Sequence, residues 1–146
     1  MEKKLQRKII ILANNSLGKK YKYGAKLKEA PHFFDCSGFI VYIFRQIGVD
    51  LPRRAIQQAE LGKKINHKVQ NLVTGDLIFT RGRKGRYNPN FPKGIGHVYI
   101  YLKDGKVVSA RWFGEKHSRH PGGMVMIENL DKIKQKDHIS VIKRLS

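Results

Sequence analysis

The only cysteine of this 146-residue chain, Cys36, lies in the segment FFDCSGF. A cysteine attacks carbonyl groups as a thiolate, so a nucleophilic cysteine needs surroundings that lower its pKa. Asp35 is a typical helix N-cap residue, and the residues after it carry an apolar stripe at helical spacing. We therefore predict Cys36 at a helix N-terminus, where backbone N–H groups and the helix dipole stabilise a thiolate or an oxyanion. The alternative is a small buried residue with a packing role.

A nucleophilic cysteine also needs a base, which is normally a histidine oriented by a third group. His97 follows GIG and begins the strand-like segment HVYIYL, so its ring can emerge at the edge of a sheet. The other five histidines lie in polar segments or at the leading edge of a strand: His32, His67, His117, His120 and His138. At this point a Cys36–His97 pair and a packed cysteine remain equal alternatives.

The elements that would position these side chains follow from periodicity and turn residues. Helices are predicted over residues 3–16, from 36 to the glycine at 48, and over 54–62. Strands are predicted at 77–79, 97–102, 106–113, 124–130 and 138–145, with KDG as the turn of one hairpin. Helices that precede an antiparallel sheet give an α+β fold. The Gly-, Pro- and Arg-rich segment TRGRKGRYNPNFPKGIG is predicted to be a long functional or mobile loop.

Composition narrows the protein class. The chain carries 30 Lys and Arg against 11 Asp and Glu, a formal charge of +19. Such a charge attracts polyanions but does not indicate a fold, and it favours a monomer. Its hydrophobic content of 40% is that of a globular protein, and its length suits one domain over 1–146. One cysteine excludes an internal disulfide and a Cys-rich zinc site.

The N-terminal segment MEKKLQRKIIILANN is first basic and then apolar, as signal peptides are. Its apolar run IIILA is shorter than the ~7–15 residues of a signal-peptide core, and no small-residue cleavage site follows. No stretch approaches the ~20 apolar residues of a membrane span. We therefore expect no signal peptide and no span, which leaves the cytoplasm and non-classical export to the cell wall both open.

Four segments in order, DCSGF, LPR, GDLIF and GHVYIYLKDGKVVSA, resemble the NlpC/P60 cysteine peptidases over roughly residues 5–145. The resemblance implies a papain-like α+β domain with N-terminal helices packed on a central antiparallel β-sheet and the cysteine at a helix N-terminus. It implies hydrolysis of peptidoglycan stem peptides at the γ-D-glutamyl–diamino acid bond through an acyl-enzyme, without metal or cofactor. Stem peptides or their fragments would be the substrate, and anionic wall polymers a further partner.

The resemblance also implies roles for individual residues. Cys36 would be the nucleophile and His97 the base. Asp35 and Ser37 would flank the substrate-binding groove. Tyr21, in the segment YKYG, would lie near the nucleophile and donate to the oxyanion, with a ring packed under the helix start as the alternative.

The third catalytic group departs from the family pattern. The family usually has a polar side chain, often histidine, twelve residues after the base, and here that position is Ser109. With KDG as a three-residue loop, Tyr99 opposes Ser109 and His97 opposes Arg111, which places Ser109 diagonal to His97 on one face. We expect Ser109 to orient His97 weakly, directly or through a water. Arg111 on the same face would disfavour protonated His97.

Several alternatives stay open. His117, His120 or a backbone carbonyl would take the orienting role if Ser109 does not, or the enzyme would be slow or inactive. Arg53, in LPR, is expected to have a structural or rim role. The basic loop over 81–96 would rim the cleft beside His97 and either bind carboxylates or wall polymer, or be a solvated charge cluster.

Two other functions compete with the peptidase. A basic module that binds nucleic acid or another polyanion is suggested by the charge and by aromatic residues among basic ones, although no nucleic-acid motif is present and no specific nucleic acid is expected. A non-catalytic wall-binding relative is suggested by the missing third histidine.

Overall fold

The computed structural model describes residues 1–68, 70–83, 85–117 and 119–145. The helices are α1 Lys3–Ser16, α2 Cys36–Arg45, α3 Ala55–Gln58 and α4 Leu130–Lys136, with a short 3-10 helix at Leu27–Glu29. The strands are β1 Lys20–Tyr21, β2 Phe33–Phe34, β3 Lys63–Lys64, β4 Leu77–Thr80, β5 Arg86–Asn88, β6 Phe91–Ile95, β7 His97–Tyr101, β8 Lys106–Arg111, β9 Met124–Asn129 and β10 Ile139–Arg144.

Eight of these strands form one sheet in the order β2-β1-β9-β8-β7-β4-β10-β3, and β5 and β6 form a separate hairpin. The pairs β4–β7, β7–β8, β8–β9 and β4–β10 are antiparallel, whereas β1 and β2 pair in parallel at the edge. The α+β fold with a central antiparallel sheet is therefore confirmed, as are the first helix and the start of α2 at the cysteine.

The two faces of the sheet pack against different helices because side chains alternate along each strand. On β7, Val98 and Ile100 belong to the cluster that packs on α1 and α2, whose members include Phe39 and Ile40. Tyr99 belongs to the cluster on the opposite face, together with Leu130 and Ile133 of α4. The sheet thus has an α2 face and an α4 face. Within the described residues, no helix is both long enough and apolar enough to cross a membrane.

The register of the β7–β8 hairpin matches the prediction. The Leu102 N–H donates to the Lys106 carbonyl over 2.9 Å, and Ile100 pairs with Val108. Asp104 adopts a φ of 51°, a left-handed conformation that Asp tolerates better than most residues, and the glycine after it also has a positive φ. This turn fixes the register in which Ile100 pairs with Val108 and Tyr101 with Val107.

Three sequence-based predictions were wrong or incomplete. The segment predicted as one long loop contains the β5–β6 hairpin, in which Phe91 and Ile95 are buried. Its Gly, Pro and Arg content is typical of a loop, and the buried residues of β6 do not alternate with exposed ones. The helix α4 was missed because only Leu130 and Ile133 are buried in its short charged sequence. The helix predicted over 54–62 is only the four residues of α3.

A buried ion pair holds the loop before β4 to the last strand. The Asp76 side chain is almost fully buried, and its two carboxylate oxygens accept hydrogen bonds of 2.8 Å from Nε and Nη2 of Arg144. The Val73 N–H also donates to this carboxylate over 2.9 Å. Removal of the partner of a buried carboxylate lowers the free energy of unfolding strongly, because the charge is left without compensation.

We therefore expect Arg144→Gln to lower the free energy of unfolding by about 3 kcal/mol, since it leaves Asp76 buried and unpaired. The matched control is Arg45→Gln, which removes an exposed pair with Asp50 at 3.5 Å and should cost less than about 0.5 kcal/mol. Urea unfolding followed by circular dichroism measures both. Equal costs for the two variants would contradict the prediction.

Candidate active site

Helix α2 begins at Cys36 because Asp35 caps it. Asp35 is extended, with φ −95° and ψ −179°, and its Oδ1 accepts a hydrogen bond from the Gly38 N–H over 2.7 Å. A Cβ at Gly38 would lie 2.8 Å from that oxygen, so a larger residue there would disturb the cap. The first turn of α2, with Cys36 in it, is therefore held in place by its neighbours in sequence.

Arg53, which is distant in sequence, holds the first turn of α2 in place through side-chain hydrogen bonds. Its Nη2 donates to Asp35 Oδ2 over 2.7 Å and to the Ala25 carbonyl over 2.6 Å. Its Nη1 donates to Ser37 Oγ over 2.8 Å. Asp35 and Ser37, predicted to flank the substrate groove, are thus both bound to Arg53, and these contacts give Arg53 a structural role.

Gln58 is a site residue that sequence reasoning missed. Its side chain is fully buried, and its Nε2 donates to the Ser37 carbonyl over 3.1 Å and to the Pro52 carbonyl over 2.8 Å. It thereby braces the first turn of α2 against the chain that enters α3. A glutamine between two apolar alanines in AIQQAEL was the available signal.

The thiol of Cys36 lies where α2 meets the start of β7. The backbone N–H groups of Ser37 and Val98 lie near enough to the sulfur to favour its thiolate, and Val98 directly follows His97. Burial is the main influence on the pKa of Cys36 and raises it to about 12, with the negative charge of Asp35 acting in the same direction. The two backbone N–H groups and Arg53 oppose this rise without overcoming it.

His97 is the first residue of β7, and its ring packs edge-on against Tyr99 with centroids 4.5 Å apart. Its Nε2 is buried and has no hydrogen-bond partner among the described residues. The pKa of His97 is lowered to about 4, mainly by burial and also by the charge of Arg111, while the charge of Asp137 acts in the opposite direction.

The resting site therefore holds a neutral thiol and a neutral imidazole. The sequence predicted that the helix N-terminus would lower the pKa of Cys36. The structure differs because removal of the sulfur from water outweighs the N–H groups that surround it. A thiol in this state attacks a carbonyl carbon only after a base has taken its proton.

Ser109 lies on β8 on the same face as His97, as its register predicts. It is fully buried, and its Oγ has no partner among the described residues. The hydroxyl of Thr80, which pairs with His97 across β4 and β7, is likewise buried and unpartnered. Among the described residues, the hydroxyls of Ser109 on β8 and Thr80 on β4 are thus free to form a hydrogen bond, and these two strands flank β7, which carries His97.

Arg111, His117 and His120 were the other residues predicted to act on His97 or on the substrate. Arg111 makes an ion pair with Glu128, so its charge is partly engaged within the protein. His117 and His120 stack on each other with centroids 6.1 Å apart. Among the described residues, neither of these histidines forms a hydrogen bond or an aromatic contact with His97.

Tyr21 lies on β1 near the start of α2. Burial raises the pKa of its hydroxyl, and the charges of Cys36 and Asp35 raise it further, which shows that the three groups are neighbours. The hydroxyl therefore stays protonated and can donate a hydrogen bond. Within the described residues, no three His, Cys, Asp or Glu side chains gather to hold a metal ion.

Known proteins resemble this chain along most of its length. The model of the NlpC/P60 family matches residues 18–136. The probable endopeptidase p60 of Listeria seeligeri is 34% identical over 114 residues, which are 78% of this chain and 19% of that protein. The murein DD-endopeptidase MepS/murein LD-carboxypeptidase of Escherichia coli K12 is 38% identical over 95 residues, which are 64% of this chain and 43% of that protein. The chain thus spans less than half the length of these two curated relatives.

Solved structures share the fold. The NlpC/p60 domain of the peptidoglycan hydrolase SagA superposes with a TM-score of 0.66 at 26% identity and covers 95% of this chain and 97% of that one. An NlpC/P60 family protein from Bacillus cereus gives a TM-score of 0.74 at 23% identity, over 96% of this chain and 40% of that one. The second likeness concerns the fold alone.

The raised pKa of Cys36 predicts its reactivity. With a thiol pKa of about 12, the thiolate fraction increases about tenfold per pH unit up to pH 10, so alkylation by iodoacetamide should keep accelerating over pH 6–10. The same chain unfolded in urea should level off above the ordinary thiol pKa of ~8.5. A plateau below pH 7 in the folded protein would instead show an ion pair of Cys36 with His97.

Proposed function

The chain belongs to the NlpC/P60 family, and we propose that it is a cysteine peptidase that hydrolyses peptide bonds in peptidoglycan stem peptides. The relatives are named endopeptidases and a peptidoglycan hydrolase, which supports this reaction class. The observation that carries the proposal is the position of the Cys36 thiol near the backbone N–H of Val98, the residue that directly follows His97.

The chemistry follows from the two neutral groups. His97 accepts the proton of the Cys36 thiol while the sulfur attacks the scissile carbonyl carbon. The tetrahedral intermediate collapses, the C–N bond breaks, and His97 gives the proton to the leaving amine. Water, deprotonated by His97, then attacks the thioester, which releases the acid and restores the thiol.

The negative oxygen of the intermediate needs donors. The backbone N–H of Ser37, at the start of α2, and that of Val98 lie near the sulfur, and the protonated hydroxyl of Tyr21 is a neighbour of Cys36. We assign oxyanion stabilisation to these donors. Asp35 and Ser37 keep the helix start in position through Arg53 and border the site where the acyl part of the substrate binds.

We further propose the γ-D-glutamyl–diamino acid bond as the bond that is cut. Names of the relatives refer to other bonds as well, since the E. coli relative is called a DD-endopeptidase and an LD-carboxypeptidase. A defined substrate therefore decides the question.

The function test uses the tripeptide L-Ala-γ-D-Glu-L-Lys, with products identified by mass spectrometry. The wild-type protein should release L-Ala-D-Glu and lysine, and Cys36→Ala should reduce the rate to the uncatalysed level because no nucleophile remains. Cys36→Ala should keep the circular dichroism spectrum of the wild type. Cleavage at an undiminished rate by Cys36→Ala would refute the proposed mechanism.

Ser109 is proposed as a positioning residue for His97. Its hydroxyl can accept the imidazole N–H directly or through a water, and a neutral hydrogen bond contributes about 1 kcal/mol. Ser109→Ala should then lower kcat/KM about fivefold. It should not destabilise the fold, since an unpartnered buried hydroxyl gives the native state nothing.

Thr80→Val is the matched comparison for Ser109→Ala, because it removes the other unpartnered hydroxyl beside His97. We expect it to leave kcat/KM within about twofold of the wild type, a change far below that of one lost hydrogen bond. A large loss in Thr80→Val, with none in Ser109→Ala, would assign the positioning role to Thr80.

A non-catalytic wall-binding protein is the second candidate. The observation that favours it is the resting state of the site, in which Cys36 is a neutral thiol and the expected third histidine is replaced by Ser109. Such a protein would bind stem peptides equally well as wild type and as Cys36→Ala, and neither would cleave them.

A further inference from the structure

A cavity of about 640 Å³ opens on the α4 face of the sheet, near His97. Its floor includes Tyr99 and Arg111, and its walls are the loop after β4, residues 81–83, and the end of α4 with the residues that follow, 133–138. Tyr99 is also the ring that contacts His97. The Tyr99 side chain therefore lies between the cavity and His97, the proposed base.

The walls of this cavity are bound to each other. The Arg81 N–H donates to the His138 carbonyl over 2.9 Å. The Gly82 N–H donates to both carboxylate oxygens of Asp137, over 3.2 and 3.1 Å. The loop after β4 and the end of α4 are thus fixed relative to each other, and the cavity is formed without a ligand.

The charge inside the cavity is unbalanced. Arg81, Arg83 and Lys136 make no ion pair within the described residues, whereas Arg111 is paired with Glu128. The acid of the cavity, Asp137, already accepts the backbone N–H of Gly82 from the loop and that of the adjacent His138. Guanidinium and ammonium groups that converge on a preformed cavity suit a carboxylate or phosphate ligand.

The direction of the proposed reaction indicates which ligand this is. His97 gives its proton to the leaving amine, so the fragment that departs with that amine must lie on the His97 side of Cys36. The acyl part lies on the other side, near Asp35 and Ser37. A leaving fragment that extends past His97 would meet Tyr99, which contacts the His97 ring and lines the cavity together with the unpaired cations.

We propose that the cavity binds a carboxylate of the leaving-amine fragment and so selects substrates with an acidic group on that side of the scissile bond. Arg83 and Lys136 are the principal cations, and the loop–α4 contacts hold them in place. This inference rests on the proposed peptidase function and names a specificity determinant for it. A separate phosphate-bearing polymer is the competing occupant.

The test compares L-Ala-γ-D-Glu-L-Lys with its C-terminal amide, which differ only by one negative charge on the leaving residue. The wild type should cleave the acid with a kcat/KM on the order of tenfold above that of the amide, the effect of one charge-assisted hydrogen bond. The double variant Arg83→Gln/Lys136→Gln should lower this ratio to about 1. Both side chains are exposed, so the variant should fold.

The matched control is Lys132→Gln, which removes an exposed cation of α4 that does not line the cavity and should keep the acid-to-amide ratio. Equal rates on acid and amide in the wild type, or an unchanged ratio in the double variant, would overturn the proposal. Equal rates accompanied by pyrophosphate binding that the double variant loses would assign the cavity to a phosphate ligand instead. No cleavage of either peptide by the wild type would refute the proposed function, and this inference with it.

Discussion

The contact between the first turn of α2 and the first residues of β7 is the constraint on which the site depends. The thiol of Cys36 lies near backbone N–H groups of both elements, those of Ser37 and Val98. Asp35 and Arg53 fix the helix end, while the apolar stripe of α2 packs on the sheet. A shift of α2 by one residue would turn its side chains by about 100°, which would remove the stripe from the core and the sulfur from the strand.

Strand alternation explains why His97 lies at a strand end. The helix that carries Cys36 packs on one face of the sheet, whereas His97 shares the other face with Tyr99 and Ser109. Deeper in the sheet, a side chain on the α4 face would be separated from the nucleophile by the sheet itself. At the first residue of β7, the imidazole can approach the thiol around the edge.

The large positive charge of the protein has little influence on the pKa of the Cys36 thiol. Burial dominates the pKa of both Cys36 and His97 and favours their neutral forms. Arg53 is the cation that lowers the pKa of the thiol, but it forms an ion pair with Asp35. The negative charge of Asp35 disfavours a thiolate and so acts against Arg53. Three cations without an ion pair among the described residues, Arg81, Arg83 and Lys136, instead line the cavity on the α4 face, where they can act on a ligand rather than on the sulfur.

Local patterns in the sequence determined the first helix, the capped start of α2 at Cys36, the β7–β8 register and the α+β class, because each depends on residues close together in the chain. The β5–β6 hairpin and α4 escaped prediction because their apolar residues are few and gain their burial from distant elements. Only the tertiary structure showed that Gln58 and Arg53 brace the helix start and that Tyr99 joins His97 to a basic cavity. It also reversed the expected pKa of Cys36, since burial is a property of packing that a helix N-terminus in a sequence does not reveal.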